Sequence, residues 1–218
     1  MRLPRPVTHV IFDMDGVLLD TERLYTAVTQ RICDRFGKTF DWTVKGHMIG
    51  RPALDSARYL VRTLALPITP EDYLAEREAM FQTLMPTAAA MPGARALTDA
   101  LRARGVPRAV ATSSTRPLFA LKTTRHRDWF AEFSAIVLGD DPRVARGKPA
   151  PDIFLRAAEL LDVAPQGCCV VEDSKPGVAA SLAAGMQVIA ITNTHPAEEL
   201  QHATHVVRTY EEIERLLL

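Results

Sequence analysis

Short apolar runs, of the kind that fill a sheet covered on both faces, recur along this chain at residues 7–12, 108–112, 135–138, 168–171 and 187–191. A strand with one wet face alternates apolar and polar side chains, whereas a continuous apolar run suits a parallel strand buried between helices. The stretches between the runs carry helical spacing instead. Phe154, Ala158 and Leu161 recur on one helical face behind Pro151, and proline is tolerated in the first turn of a helix. Residues 176–184 are rich in Ala and Gly, so their backbone can lie close to a sheet. Strands alternating with helices predict a doubly wound α/β fold with a mostly parallel, Rossmann-like sheet.

One region departs from this alternation. Between residues 21 and 90 no convincing strand can be found, but Leu24, Val28, Ile32 and Phe36 fall every four residues, a helical stripe. Residues 54–66 and 73–84 also read as helices, with Pro67 and Pro70 between them, and Met91-Pro92-Gly93 marks the return to the alternating pattern. The reading is a core of residues 1–20 and 91–218, interrupted after its first strand by an all-helical insert, residues 21–90, about the size of a small domain.

Composition excludes some classes. Lys plus Arg number 26 and Asp plus Glu 26, a formal charge of zero, which argues against a nucleic-acid-coating protein. The three cysteines, Cys33, Cys168 and Cys169, form no CxxC pair, and an odd count is a poor disulfide framework. Cys168 and Cys169 sit in an apolar run and read as small core residues. The N-terminal residues lack the apolar stretch and cleavage site of a secretory signal, and no apolar run is long enough to span a bilayer. The expectation is a cytoplasmic protein without nucleic-acid or membrane partners, a monomer or weak homo-oligomer.

The chemistry gathers at the strand ends. Ligands of open α/β sheets bind outside the carboxyl ends of the strands. Asp13 and Asp15 follow the first run, Thr112-Ser113-Ser114 the second, Lys148 the third and Glu172-Asp173 the fourth. Carboxylates sharing a cleft repel one another unless a cation joins them. An all-oxygen set with room for water and phosphate suits Mg²⁺. A lysine, a hydroxyl and the backbone amides of a turn entering a helix would hold phosphoryl oxygens. One carboxylate can then attack phosphorus while the other moves protons. Two aspartates spaced two apart serve this division because an intervening residue lets them be aimed separately.

The segments Asp13-Met14-Asp15-Gly16, Thr112, Lys148-Pro149 and Glu172-Asp173 resemble the four motifs of the haloacid dehalogenase superfamily, in order and each behind an apolar strand. The resemblance covers essentially the whole chain, including a helical cap inserted after the first motif. It implies Mg²⁺-dependent phosphoryl transfer through an aspartyl-phosphate. In that likeness Asp13 is nucleophile and metal ligand, and Asp15 is the general acid/base whose carbonyl touches the metal. Thr112 and the Ser113 amide hold the phosphoryl group, Lys148 neutralises charge, Asp173 binds Mg²⁺ and Glu172 binds it directly or through water. Gly16, Glu22 and Arg51 are added as substrate or phosphate contacts, Arg51 as an anchor for a distal anion. The second aspartate favours phosphate esters over halides. The segment 111–154 is similar to the subgroup of pseudouridine-5'-phosphatase and small sugar-phosphate phosphatases, which implies a small phosphomonoester as substrate, and β-phosphoglucomutase is a neighbour. That mutase has a cap histidine where this chain has Tyr25.

Other features read more plainly. Lys122 to Arg127 reads as a solvated basic helix face. Asp140-Asp141-Pro142 reads as a turn. His47, His126, His195 and His202 show no metal-ligand spacing.

Overall fold

The computed structural model describes residues 2–49 and 53–218. Among these, six parallel strands form one sheet: β1 (His9–Phe12), β2 (Arg108–Ala111), β3 (Ala135–Val137), β4 (Cys168–Glu172), β5 (Gln187–Ile191) and β6 (His205–Val207). They lie side by side in the order β3-β2-β1-β4-β5-β6. The chain therefore moves outward from β1 to β3, returns across β1, and builds the other half of the sheet. The reversal falls between β1 and β4, where open sheets part to admit ligands.

Register fixes what stands at that opening. Phe12 pairs with Val171, and the Asp13 amide donates to the Val171 carbonyl at 3.0 Å. Asp13 and the Glu172-Asp173 pair are therefore level at one edge. The Thr112 amide donates to the Val137 carbonyl at 3.0 Å, which brings the end of β2 to the same rim.

The strands are apolar throughout because both faces are covered. Val10, Phe12, Val110, Val171, Ile189 and Ile191 belong to one buried cluster, with Leu97 and Leu101 of α5 (Ala94–Ala103) and Ile213 of α10 (Tyr210–Leu217). Ile11, Ala109, Val170, Val188 and Ala190 belong to a second, with Phe154 and Ala157 of α8 (Asp152–Leu160) and Val178 and Ala180 of α9 (Lys175–Ala183). Adjacent residues of a strand point to opposite faces, so a run such as Val10-Ile11-Phe12 feeds both cores.

Between β1 and β2 the chain forms α1 (Glu22–Asp34), α2 (Trp42–Met48), α3 (Ala53–Leu64) and α4 (Pro70–Leu84). Val28, Ile32, Leu60, Tyr73, Phe81 and Met85 make a third buried cluster of their own. Proline at the start of α4 sits behind Thr69, whose hydroxyl accepts from the Asp72 amide at 3.0 Å in a capping box. The two chain crossings into this helical segment pair with each other: the Asp20 amide donates to Ala89 and the Met91 amide to Leu18, both at 2.9 Å. Helix α6 (Arg116–Lys122), which follows β2, lays Leu118 and Leu121 against the helical cluster.

Strand β6 and helix α2 are among the elements that the sequence reading did not locate. Strand β6, at a sheet edge, begins with His205 and contributes only Val206 and Val207 as apolar residues, too few to show as a run. Helix α2 contains a glycine and no apolar stripe, and is instead started by Asp41, whose carboxylate accepts from the Thr43 and Val44 amides.

Leu60 is fully buried in the helical cluster. Leu60→Ala is expected to lower unfolding stability by about 3 kcal/mol, the usual cost of a core leucine plus its cavity, read from urea denaturation.

Candidate functional site

At the β1–β4 opening, Lys148 is the centre of a buried charge cluster. Its Nζ donates to Asp13 Oδ1 at 2.5 Å and to Glu172 Oε1 at 2.7 Å, and stands 4.8 Å from the centre of the Phe154 ring. Glu172 is fully buried. Its other oxygen, Oε2, accepts from the amides of Asp173 (2.7 Å) and Ser174 (2.8 Å) and from the Ser174 hydroxyl (2.9 Å). The backbone of α9 approaches closely enough that a Cβ on Gly177 would overlap the Glu172 carboxylate. Both Glu172 oxygens thus accept from donors, and Glu172 supports Lys148 beside Asp13.

Asp173 projects the other way and accepts from the Thr194 hydroxyl. Gly16 makes room for it: a Cβ there would overlap Asp173 Oδ2 and the Thr194 hydroxyl, and its φ of 75° is one that side-chain-bearing residues avoid. The expected role of Gly16 as a phosphate contact therefore has a structural companion, since its missing side chain is the space in which Asp173 sits.

Three buried carboxylates, Asp13, Glu172 and Asp173, lie close together here, and one ammonium, Lys148, pairs with the first two. Burial, with Glu172 and Asp15 nearby, pushes the Asp13 carboxyl up to about 7 even against the Lys148 charge. Burial, then the Glu172 and Asp13 charges, hold Asp173 well above the usual carboxylate range. Lys148 is held protonated because its two carboxylates outweigh its desolvation. This surplus of buried negative charge is what a divalent cation would relieve. Among the described residues no three His, Cys, Asp or Glu side chains form a ready-made cage. Mg²⁺ does not need one. It is commonly held by one or two carboxylates, with water and substrate phosphate completing its shell. Asp13 and Asp173, with the Asp15 carbonyl, fit that donor set.

Asp15 has a different environment. Its Oδ1 accepts from Lys122 Nζ at 2.5 Å and the Thr21 hydroxyl at 2.5 Å, and its Oδ2 from the hydroxyls of Ser114 at 3.1 Å and Thr112 at 3.4 Å. Burial alone would raise its pKa, but the Lys122 charge and hydrogen bond, with Thr21 and Ser114, carry it below the ordinary value. Two aspartates two residues apart thus have opposite shifts.

Lys122 corrects the sequence reading. It is 1% exposed, not solvated, and its Nζ also donates to Ser114 Oγ at 2.8 Å. Arg125 and Arg127 are exposed as expected. The signal available was the position of Lys122 at the end of an apolar stretch, Leu118-Phe119-Ala120-Leu121, and a charge count cannot distinguish that from a wet face. Thr112 is buried at the rim, Ser113 is exposed there, and Glu22 pairs with Lys45 at 2.9 Å. Arg51, expected to anchor a distal anion, lies outside the described residues.

Beside Asp173 a groove of about 550 Å³ opens between the helical segment and the sheet, lined among others by Glu22, Thr26, Lys45, Asn193 and Thr194. A larger surface groove along α9 contains none of the clustered carboxylates. No helix among the described residues is long and apolar enough to cross a membrane.

The sequence profile of haloacid dehalogenase-like hydrolases matches residues 7–185. The chain belongs to that family. It is 46% identical over 193 residues to (DL)-glycerol-3-phosphatase 1, mitochondrial, of Arabidopsis thaliana, covering 86% of this chain and 65% of that protein. It is 44% identical over 207 residues to the probable pseudouridine-5'-phosphatase of Drosophila melanogaster, covering 93% and 90%. These named relatives are phosphoric monoester hydrolases. Among solved structures it resembles a Thermotoga maritima protein proposed to be a β-phosphoglucomutase, with a TM-score of 0.75, 30% identity, and 96% and 97% of the two chains covered.

The raised Asp13 carboxyl predicts an unusual pH dependence. Without a divalent cation, the folded protein keeps the Asp13 proton up to about pH 7, while the unfolded chain releases it near pH 3.9, roughly. The folded state thus binds the extra proton, and the contribution to stability falls as pH rises through that window. Thermal melts should show this decline. Added Mg²⁺ should raise Tm more at pH 7.5 than at pH 5, and Asp13→Asn should reduce both effects.

Proposed function

We propose that this protein is an Mg²⁺-dependent phosphatase of small phosphomonoesters, acting through an aspartyl-phosphate on Asp13. The observation that carries the reading is the state of the Asp13 carboxylate. One oxygen is fixed by Lys148 at 2.5 Å, and no donor among the described residues reaches the other. That second oxygen is free to meet phosphorus at the mouth of the sheet. The named phosphatase relatives support the same chemistry.

In the first half of the reaction, the free Asp13 oxygen bonds to phosphorus as the ester P–O bond breaks. Lys148 and the Thr112–Ser113 turn hold the phosphoryl oxygens as charge shifts. Asp15 gives a proton to the departing alcohol. In the second half a water attacks phosphorus, Asp15 takes its proton, and Asp13 is released as carboxylate. Bound Mg²⁺, held by Asp13, Asp173 and the Asp15 carbonyl, would supply charge neutralisation at the phosphoryl oxygens. Glu172 acts through Lys148, which it holds beside Asp13.

Residues 21–90 serve, in this reading, as a cap over a core of residues 1–20 and 91–218, selecting the organic part of the ester. The groove beside Asp173 carries the polar side chains of Glu22, Lys45, Thr26 and Asn193 on its walls, and these could hydrogen-bond a hydroxyl-bearing alcohol such as a glycerol or sugar phosphate. Pseudouridine 5'-phosphate belongs to the same class. Free, buried cysteines are consistent with a cytoplasmic location.

The test is phosphate release with Mg²⁺ from a panel containing glycerol 3-phosphate, hexose phosphates, pseudouridine 5'-phosphate and phosphoglycolate. Asp13→Asn should lower release by at least about 1,000-fold, and chelation of Mg²⁺ should abolish it. Conversion of a hexose 1-phosphate to its 6-phosphate without phosphate release would favour a mutase instead.

A further inference from the structure

We infer that Lys122 is a positioning residue for Asp15: it anchors the Oδ1 oxygen so that Oδ2 is the one that exchanges the proton with the leaving group. The inference rests on the phosphatase reading and assigns to it a residue outside the four motif segments.

The two oxygens of Asp15 are held unequally. Oδ1 receives two contacts of 2.5 Å, one from the Lys122 ammonium and one from the Thr21 hydroxyl. Oδ2 receives only hydroxyls, Ser114 at 3.1 Å and Thr112 at 3.4 Å. Charge-assisted contacts are the shorter and stronger kind, and a hydroxyl contact at 3.4 Å is weak. A proton placed on Oδ1 would face an ammonium and break an ion pair. A proton placed on Oδ2 displaces only the loose hydroxyl contacts. The carboxyl group is thereby fixed at one end and available at the other.

Two further observations show that other elements are committed to this anchor. Thr21 occupies the N-cap of α1, where its hydroxyl would ordinarily accept from the first helical amides, yet it makes no such bond and donates to Asp15 instead. Lys122 is buried under the ring of Tyr25 of α1, whose centre lies 4.9 Å from Nζ, with Ser114 Oγ at 2.8 Å as its remaining neighbour. An ammonium removed from water in this way is costly unless it is fully paired. Among the described residues its polar partners are Asp15, Ser114 and the Tyr25 ring, and Asp15 is the carboxylate of the three.

The proton balance is simple. As the Asp13–phosphorus bond forms, the ester P–O bond breaks with its electron pair on the departing oxygen, and the Oδ2 proton of Asp15 goes to that oxygen. In hydrolysis the attacking water returns a proton to Oδ2 while the Asp13–phosphorus bond breaks.

The distinguishing measurement is kcat/KM for two esters, because this ratio reports the steps up to alcohol release. One is the fastest alkyl phosphate of the panel, whose alcohol needs a proton to leave. The other is p-nitrophenyl phosphate, whose phenolate leaves without one. Lys122→Met should lower kcat/KM for the alkyl ester by about 100-fold and for the nitrophenyl ester by less than about fivefold. Thr21→Val, which removes the other Oδ1 contact, should show the same selectivity at about tenfold. Should Lys122→Met fail to fold by circular dichroism, Thr21→Val decides by the same comparison. Equal losses for the two esters, or no loss for either, would overturn the assignment. Full activity in Asp13→Asn would instead sink the phosphatase reading itself, so the two failures are separable.

Discussion

A single ammonium shared by two buried carboxylates holds this site together. Lys148 reaches Asp13 and Glu172 at once, and both bonds close a gap between segments far apart in the chain. Removing either carboxylate would leave a buried charge half-paired, a costly state in a dry site. Glu172 is fixed in turn by the backbone at the start of α9, so the position of Asp13 depends on a helix that it does not touch. The cluster still carries more negative than positive charge. That imbalance is the physical ground on which a divalent cation is proposed for this site.

The arrangement also shows how one sheet edge creates two unlike carboxylates. Asp13 lies among other acids and holds its proton more tightly than usual, while Asp15 faces Lys122 and three hydroxyls and releases its proton more easily. The backbone brings them within two residues, and side chains from the start of α1, the turn after β2, the end of α6, the loop after β3 and the end of β4 separate their chemistry. Without a cation these shifts run against the proposed roles, because a nucleophile acts as the carboxylate and a general acid must hold a proton; a divalent cation beside Asp13 would favour its ionised form.

Much of this was legible in the sequence. Val10-Ile11-Phe12 and Val170-Val171 are apolar on both faces because both faces of the sheet are covered, and that pattern alone locates Asp13, Glu172 and Asp173 at strand ends. The helical stripe of Leu24, Val28 and Ile32 likewise finds its own core. What could not be read depends on contacts between distant segments. Lys122 reads as surface until its distance to Asp15 is known. Glu172 reads as a metal ligand, and its bonds to Lys148 and to the start of α9 could not be read. Strand β6 offers only two apolar residues, and helix α2 carries a glycine and no apolar stripe. Local chemistry was visible in each case, and the partner was not.

Helix α6 has a further consequence. It follows a sheet strand, yet Leu118 and Leu121 pack into the core of the helical segment, so on that flank the two parts share one dry seam. On the opposite flank they meet across the wet groove of Glu22, Lys45, Asn193 and Thr194. Parting the seam would bring hydrocarbon into water, whereas widening the groove exchanges one set of hydrogen bonds for another. The two parts thus do not share a uniform interface: hydrocarbon packs along one boundary, and charged and hydroxyl side chains line a groove along another.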